Sequence, residues 1–151
     1  MMVTTEYREL LDTIGRLAEG MNLERFIIYA KEALVADRLN EVWGTDYEPS
    51  RNSALEGVDL ISRSGSAPPV QVKSCVGRSH NQSAGSCRGD IVEKARAVDR
   101  SALIALVRFS GGTIDALFVG ETDLVQDLDK QHISFPMVKR WGFEDLTPHA
   151  T

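Results

Sequence analysis

Three residues near the middle of the chain carry groups that could act together on a phosphate ester. Asp59 supplies a carboxylate, Gln71 an amide oxygen and Lys73 an ammonium group. Carboxylate and carbonyl oxygens are the hard ligands that Mg²⁺ prefers in proteins. An ammonium group beside them can attract a phosphate by its charge. These residue types therefore predict a site for a divalent metal ion and a phosphate.

A predicted β-hairpin would bring these three residues together. Residues 58–61 form its first strand and residues 70–75 its second, and both are rich in β-branched residues. Residues 63–69, which contain one glycine and two prolines, form the connecting turn. If the two strands pair, Asp59 lies near the polar residues of the second strand.

The second strand separates apolar from polar side chains. Because side chains alternate along a strand, Val70 and Val72 point to one face, and Gln71 and Lys73 point to the other. The two valines therefore enter a core, while the amide and the ammonium group share the opposite surface.

Asp59, followed by Gln71-x-Lys73 on the next strand, resembles the PD-(D/E)xK nuclease superfamily, in the D…QxK variant found in Mrr-like restriction nucleases. The resemblance implies an α/β fold with a restriction-endonuclease-like core, in which a mixed central β-sheet is flanked by helices on both faces. It covers roughly residues 22–128 by the order of predicted elements, which is helix, helix, two motif strands, helix, two strands and helix.

The resemblance also implies an activity and a set of roles. The protein would be a Mg²⁺- or Mn²⁺-dependent endonuclease that hydrolyses phosphodiester bonds of DNA, with RNA as the alternative substrate. Asp59, Gln71, the backbone carbonyl of Val72 and Glu32 would bind the metal, and Lys73 would complete the catalytic residues. At the position of Gln71 the superfamily more often has an acidic residue. A neutral amide binds a dication less strongly than a carboxylate does. A nuclease-fold subunit or adaptor that binds without cutting is therefore the alternative function.

Asn22 predicts the N-cap of a second helix, residues 23–42, which ends near Gly44. This helix carries two acids on apolar stripes. Glu32 lies in one stripe and Asp37 in the other, and a bare carboxylate is costly to bury. In the superfamily a helix before the first motif strand often supplies an acid to the metal site. The resemblance favours Glu32 for that role, with a surface glutamate as the other interpretation.

Basic residues are concentrated around the predicted site, although the whole chain has a net charge of −5. Residues 73–108 contain seven basic and three acidic side chains, and phosphate attraction depends on such a local excess. Residues 76–89 are rich in glycine and serine and predict a loop that either contacts nucleic acid or is simply solvated. The predicted nucleic-acid contacts are Ser74, Arg78, His80, Asn81, Arg88 and Lys94.

The length of 151 residues predicts a single domain. It would consist of an N-terminal helix within residues 1–20, a core at 22–128 and a C-terminal segment, 129–151, that docks on the domain or on another subunit. Within the core, residues 45–55 predict a loop, 90–98 a helix capped by Asp90, and 101–109 a central strand.

Composition excludes several other classes of protein. No apolar run is long enough to cross a bilayer, and the N-terminus lacks a signal-peptide pattern, which predicts a cytoplasmic protein without a membrane partner. The two cysteines and three histidines lack the spacing of a zinc site. Because the chain is small and has no separate DNA-recognition domain, it predicts a homodimer or a component of a larger assembly.

Overall fold

The computed structural model describes residues 2–18, 20–50, 57–74 and 87–149, with side chains from residue 5 onward. The chain divides into two compact units, Met1–Lys31 and Glu32–Thr151. Helix α1 (Met2–Ala18) belongs to the first unit, and helix α2 (Leu23–Trp43) has residues in both. Every strand of the sheet described below lies in the second unit.

Both ends of α2 are formed by the residues that the sequence indicates. Asn22 caps the first turn, since its Oδ1 accepts a hydrogen bond of 2.8 Å from the Arg25 backbone N–H. Gly44 ends the helix with a φ of 67° and donates its N–H to the Asn40 carbonyl at 2.9 Å. The predicted second helix is therefore confirmed, with its end at Trp43.

The second unit contains a six-stranded mixed sheet in the order β1-β2-β3-β4-β5-β6. Strands β3 and β4 are parallel, and the other neighbouring pairs are antiparallel. A parallel pair needs a crossover connection, which here includes helix α3. The elements are β1 (Tyr47–Pro49), β2 (Leu60–Ser62), β3 (Val70–Ser74), α3 (Arg88–Val98), β4 (Leu103–Ser110), β5 (Thr113–Glu121), a 3₁₀ turn (Thr122–Leu124), α4 (Phe135–Arg140) and β6 (Glu144–Asp145).

Helices pack on both faces of the sheet, and β4 lies between them. Its fully buried side chains alternate, with Ala105 and Val107 on one face and Ile104 and Leu106 on the other. The first face packs against Val35, Ala36 and Leu39 of α2. The second packs against residues of α3 and α4 together with Trp141 and Phe143. The predicted α/β class and mixed sheet are thus confirmed, and the C-terminal segment contributes to the core of this unit.

Several predicted boundaries were wrong. The first hairpin strand, expected at 58–61, is Leu60–Ser62, so Asp59 precedes it. Residues 45–55 were expected to form a loop, but Tyr47–Pro49 pairs with β2 as an edge strand; residues 51–56 lie outside the described part of the chain. Helix α3 begins at Arg88, with Cys87 as its N-cap, and Asp90 lies within its first turn. There the Asp90 carboxylate accepts a hydrogen bond of 3.4 Å from the Cys87 backbone N–H.

Among the described residues, no helix combines the length and apolar character needed to cross a membrane. The cytoplasmic location stays a prediction from the sequence.

Candidate active site

The predicted hairpin forms, and it places the Asp59 carboxylate beside β3. Asp59 precedes β2, and its backbone N–H donates to the Val70 carbonyl at 2.8 Å. Its side-chain Oδ2 accepts a second hydrogen bond of 2.8 Å from the Val72 backbone N–H. These two contacts fix the carboxylate next to the residue that lies between Gln71 and Lys73.

Strand β3 has the predicted alternation. Val70 is fully buried against the α2 side of the sheet, and Val72 packs on the same cluster. Alternation therefore directs Gln71 and Lys73 to the opposite face. Gln71 is only 9% exposed, and its Nε2 lies 3.5 Å from the Val72 carbonyl oxygen.

The structure brings Glu32 rather than Asp37 to this site. Glu32 is half-buried on α2, whereas Asp37 is exposed. Burial and, to a smaller extent, the nearby charge of Asp59 together raise the pKa of Glu32 to about 8. The carboxyl groups of Glu32 and Asp59 therefore interact.

Burial acts on Asp59 and Lys73 as well. Desolvation raises the pKa of Asp59, although the Val72 N–H and the charge of Lys73 oppose that rise. Desolvation lowers the pKa of Lys73; the charge of Asp59 opposes this shift, and the charge of Lys94 adds to it. Glu32 is thus coupled to Asp59, Asp59 to Lys73, and Lys73 to Lys94. These pairs link α2, the residue before β2, strand β3 and α3.

Gly57, which was not among the predicted site residues, brings the Asp59 segment close to α3. Gly57 has a φ of 107°, and a Cβ built on it would lie 2.5 Å from the Lys94 backbone oxygen. A larger residue cannot occupy this position without moving the segment away from α3. A glycine two residues before the motif acid was the available signal, because a glycine before a strand often marks a close backbone approach.

Four groups that the resemblance assigns to a metal site are of the kind that suits a hard divalent cation. They are the carboxylates of Asp59 and Glu32, the amide of Gln71 and the carbonyl of Val72. Within the described residues no three His, Cys, Asp or Glu side chains gather into a metal site. Two carboxylates with neutral oxygens and water are nonetheless a normal Mg²⁺ environment, since Mg²⁺ is often held by one or two carboxylates. Burial raises the pKa of both carboxyl groups and so favours their neutral forms, whereas a bound cation would favour the ionised forms.

The predicted nucleic-acid contacts are distributed unevenly. Lys94 is exposed and near Lys73, and half-buried Ser74 ends β3. Arg78, His80 and Asn81 lie outside the described residues.

Arg88 instead has a structural place in the interior. It is 3% exposed, and its Nε donates to the His132 carbonyl at 2.5 Å and its Nη1 to the Gln126 carbonyl at 3.0 Å. Its guanidinium also lies over the Trp141 ring, 5.1 Å from the centroid. We therefore leave Arg88 out of the nucleic-acid surface.

A second basic residue of α3 is also engaged within the domain. Arg96 pairs with Asp123 and donates to Thr122 Oγ1 at 2.8 Å. The basic excess of residues 73–108 therefore does not form a single surface, and Lys73 and Lys94 are its described members at the candidate site.

No protein-family model and no curated protein matches this chain. The resemblance to the PD-(D/E)xK superfamily therefore rests on Asp59, Gln71, Lys73 and the order of the elements.

Proposed function

We propose that this protein is a Mg²⁺- or Mn²⁺-dependent endonuclease of the PD-(D/E)xK type that hydrolyses phosphodiester bonds of DNA. The observation that carries the proposal is the hydrogen bond between the Asp59 carboxylate and the Val72 N–H. It places an acid against the middle residue of the Gln71-x-Lys73 motif. A mixed sheet with helices on both faces agrees with the fold that the resemblance implies.

The electrostatics of the site support cation binding. Asp59 and Glu32 are two partly buried carboxyl groups whose pKa values burial raises. Both would bind a cation in their ionised forms, so binding releases protons. Gln71 and the Val72 carbonyl add neutral oxygens. A bound Mg²⁺ would lower the pKa of an attacking water and neutralise charge that develops on the phosphate.

Lys73 would act on the reacting groups directly. Burial and the charge of Lys94 lower its pKa, which increases the fraction of neutral amine that can take a proton from water. The water oxygen attacks phosphorus and its proton passes to Lys73 or to solvent. The bond to the 3′-oxygen breaks, and that oxygen takes a proton from solvent water to become the 3′-hydroxyl. In its charged form Lys73 stabilises the negative phosphorane. By resemblance, the products carry 5′-phosphate and 3′-hydroxyl ends.

Cleavage of supercoiled plasmid tests the proposal. Wild type, Asp59→Ala and Lys73→Ala would be incubated with Mg²⁺ or Mn²⁺, with labelled RNA as a second substrate. The matched controls are Asp37→Ala, which removes an exposed acid, and Lys130→Ala, which removes an exposed lysine. We expect nicking by wild type and by both controls, and loss of nicking by both site variants.

Comparison with the controls shows whether nicking requires Asp59 and Lys73. Nicking that survives in both Asp59→Ala and Lys73→Ala would reject the site. A rate that falls equally in the controls would point to a general loss of folded protein.

A nuclease-fold subunit that binds nucleic acid without cutting is the second candidate function. Gln71 favours it, because its neutral amide occupies the acidic position of the motif and binds a dication less strongly. In that case wild type would shift labelled DNA in a binding assay but leave it intact with either metal, and Gln71→Glu is the variant expected to gain cleavage.

A further inference from the structure

Helix α1 presents an apolar stripe that is exposed among the residues the structure describes. Tyr7, Leu10, Leu11 and Leu17 are 63%, 53%, 65% and 55% exposed. They recur at the spacing that places side chains on one face of a helix. Charged residues follow the complementary spacing and lie on the opposite face: Arg8, Glu9, Asp12 and Arg16.

An exposed stripe of this kind gives α1 little stability by itself. A helix of 17 residues is marginal in water unless its apolar face packs. The first turns of α2, which belong to the same compact unit, add Leu23, Ile27 and Ile28 at 56%, 46% and 53% exposure. We propose that α1 and the start of α2 form a homodimer interface with the same surface of a second copy of this chain.

The exposed area agrees with the size of a dimer interface. Seven large side chains that each expose on the order of 100 Å² offer roughly 700 Å² per copy, close to the about 800 Å² per partner of a standard interface. Exposed apolar patches of this size mark interaction sites on folded proteins.

The spacing and charge of α1 favour α1 of a second copy as the partner over a membrane surface. Tyr7, Leu10, Ile14 and Leu17 are separated by three, four and three residues, which is the spacing of a coiled-coil seam over about one and a half heptads. The charges outside the seam have both signs. Helices that lie on membrane surfaces instead carry a polar face rich in Lys and Arg.

The mass of the full chain in solution tests the interface. Sedimentation velocity across a dilution series would compare wild type, the double variant Leu10→Glu/Leu17→Glu and the control Arg16→Glu, which changes charge on the opposite face. We expect wild type and the control at twice the monomer mass. The double variant is expected as a monomer, with a dimer Kd raised at least about tenfold.

Further measurements keep the test decisive if a variant folds poorly. Circular dichroism would check that each variant keeps its helix content, and Leu11→Gln is the milder substitution, expected to weaken the dimer in the same direction. Wild type that stays monomeric at every concentration, or a double variant that stays dimeric, would overturn the proposal. Monomeric wild type that floats with anionic phosphatidylserine vesicles would overturn it in favour of a membrane surface. The proposal does not depend on nuclease activity.

Discussion

Helix α3 contributes a cation to each of two regions that bury charge in opposite ways. Arg88, at its first residue, donates to backbone carbonyls of residues 126 and 132 and is 3% exposed. Lys94, further along, meets a group whose members have pKa values displaced by burial, including Glu32 at about 8. Burial lowers the pKa of Arg88 and raises that of Asp59. The Arg88 guanidinium, however, donates to several backbone carbonyls, whereas the Asp59 carboxylate accepts from the Val72 N–H beside other titratable groups. The first arrangement is typical of structural stabilisation, and the second is typical of sites that bind or react.

Removal of the Arg88 guanidinium should have the largest effect on stability. Arg88→Ala removes a buried guanidinium together with its hydrogen bonds to two backbone carbonyls and its contact with the Trp141 ring, and we expect the free energy of unfolding to fall by about 3–5 kcal/mol. Urea denaturation measures the change. Arg100→Ala, which removes an exposed arginine, should change stability by less than about 0.5 kcal/mol. Equal losses in the two variants would show that Arg88 has no special structural role.

Neutralising Asp59 should slow nicking without lowering stability. Asp59→Asn keeps an oxygen that can accept from the Val72 N–H but removes a partly buried charge. We expect nicking to slow by about 100-fold or more, equivalent to about 3 kcal/mol of transition-state stabilisation, with stability unchanged or increased. Asp37→Asn should change neither quantity. A stability loss like that of Arg88→Ala, with normal nicking, would show that Asp59 stabilises the fold and takes no part in cleavage.

A third variant tests the close approach that brings the Asp59 segment to α3. Gly57→Ala introduces a Cβ 2.5 Å from the Lys94 carbonyl oxygen at a φ of 107°, and we expect a loss of about 2–3 kcal/mol. Gly65→Ala is the matched control, since its φ is 74° but no atom lies within 4 Å of the added Cβ. It should cost about 1 kcal/mol from backbone strain alone. Similar losses would mean that the contact with α3 adds nothing.

The pH dependence of stability gives the smallest effect. The folded state holds the Glu32 proton up to a pKa of about 8, whereas the ordinary value is 4.5. The folded state therefore binds more protons between these pH values, so the free energy of unfolding falls as pH rises through this window. The raised pKa of Asp59 acts with the same sign.

Removing the Glu32 ionisation should flatten that slope. Glu32→Gln is expected to recover about 1–2 kcal/mol above the folded-state pKa, after allowance for partial exposure. Urea denaturation across the window, without divalent cation, measures it, and Glu24→Gln on the exposed part of α2 is the control. An unchanged slope in Glu32→Gln would show that Glu32 titrates normally.

The interior of the sheet was predictable and its edges were not. The apolar run of 101–109 matches β4, and the alternation of Val70 and Val72 matches β3, because burial on one or both faces imposes these patterns. The edge strands β1 and β6 have three and two residues. At that length neither periodicity nor propensity distinguishes a strand from a turn, and only pairing with a neighbour defines it.

The sequence by itself determined the helix ends at Asn22 and Gly44, the apolar interior strands and the alternation that separates the valines of β3 from Gln71 and Lys73. These are local properties of backbone sterics and side-chain periodicity. Only the tertiary structure decided that Glu32 rather than Asp37 meets Asp59, and that Arg88 turns inward while Lys94 faces the site. These outcomes depend on contacts between segments that are distant in the chain, which residue type and spacing along one element do not specify.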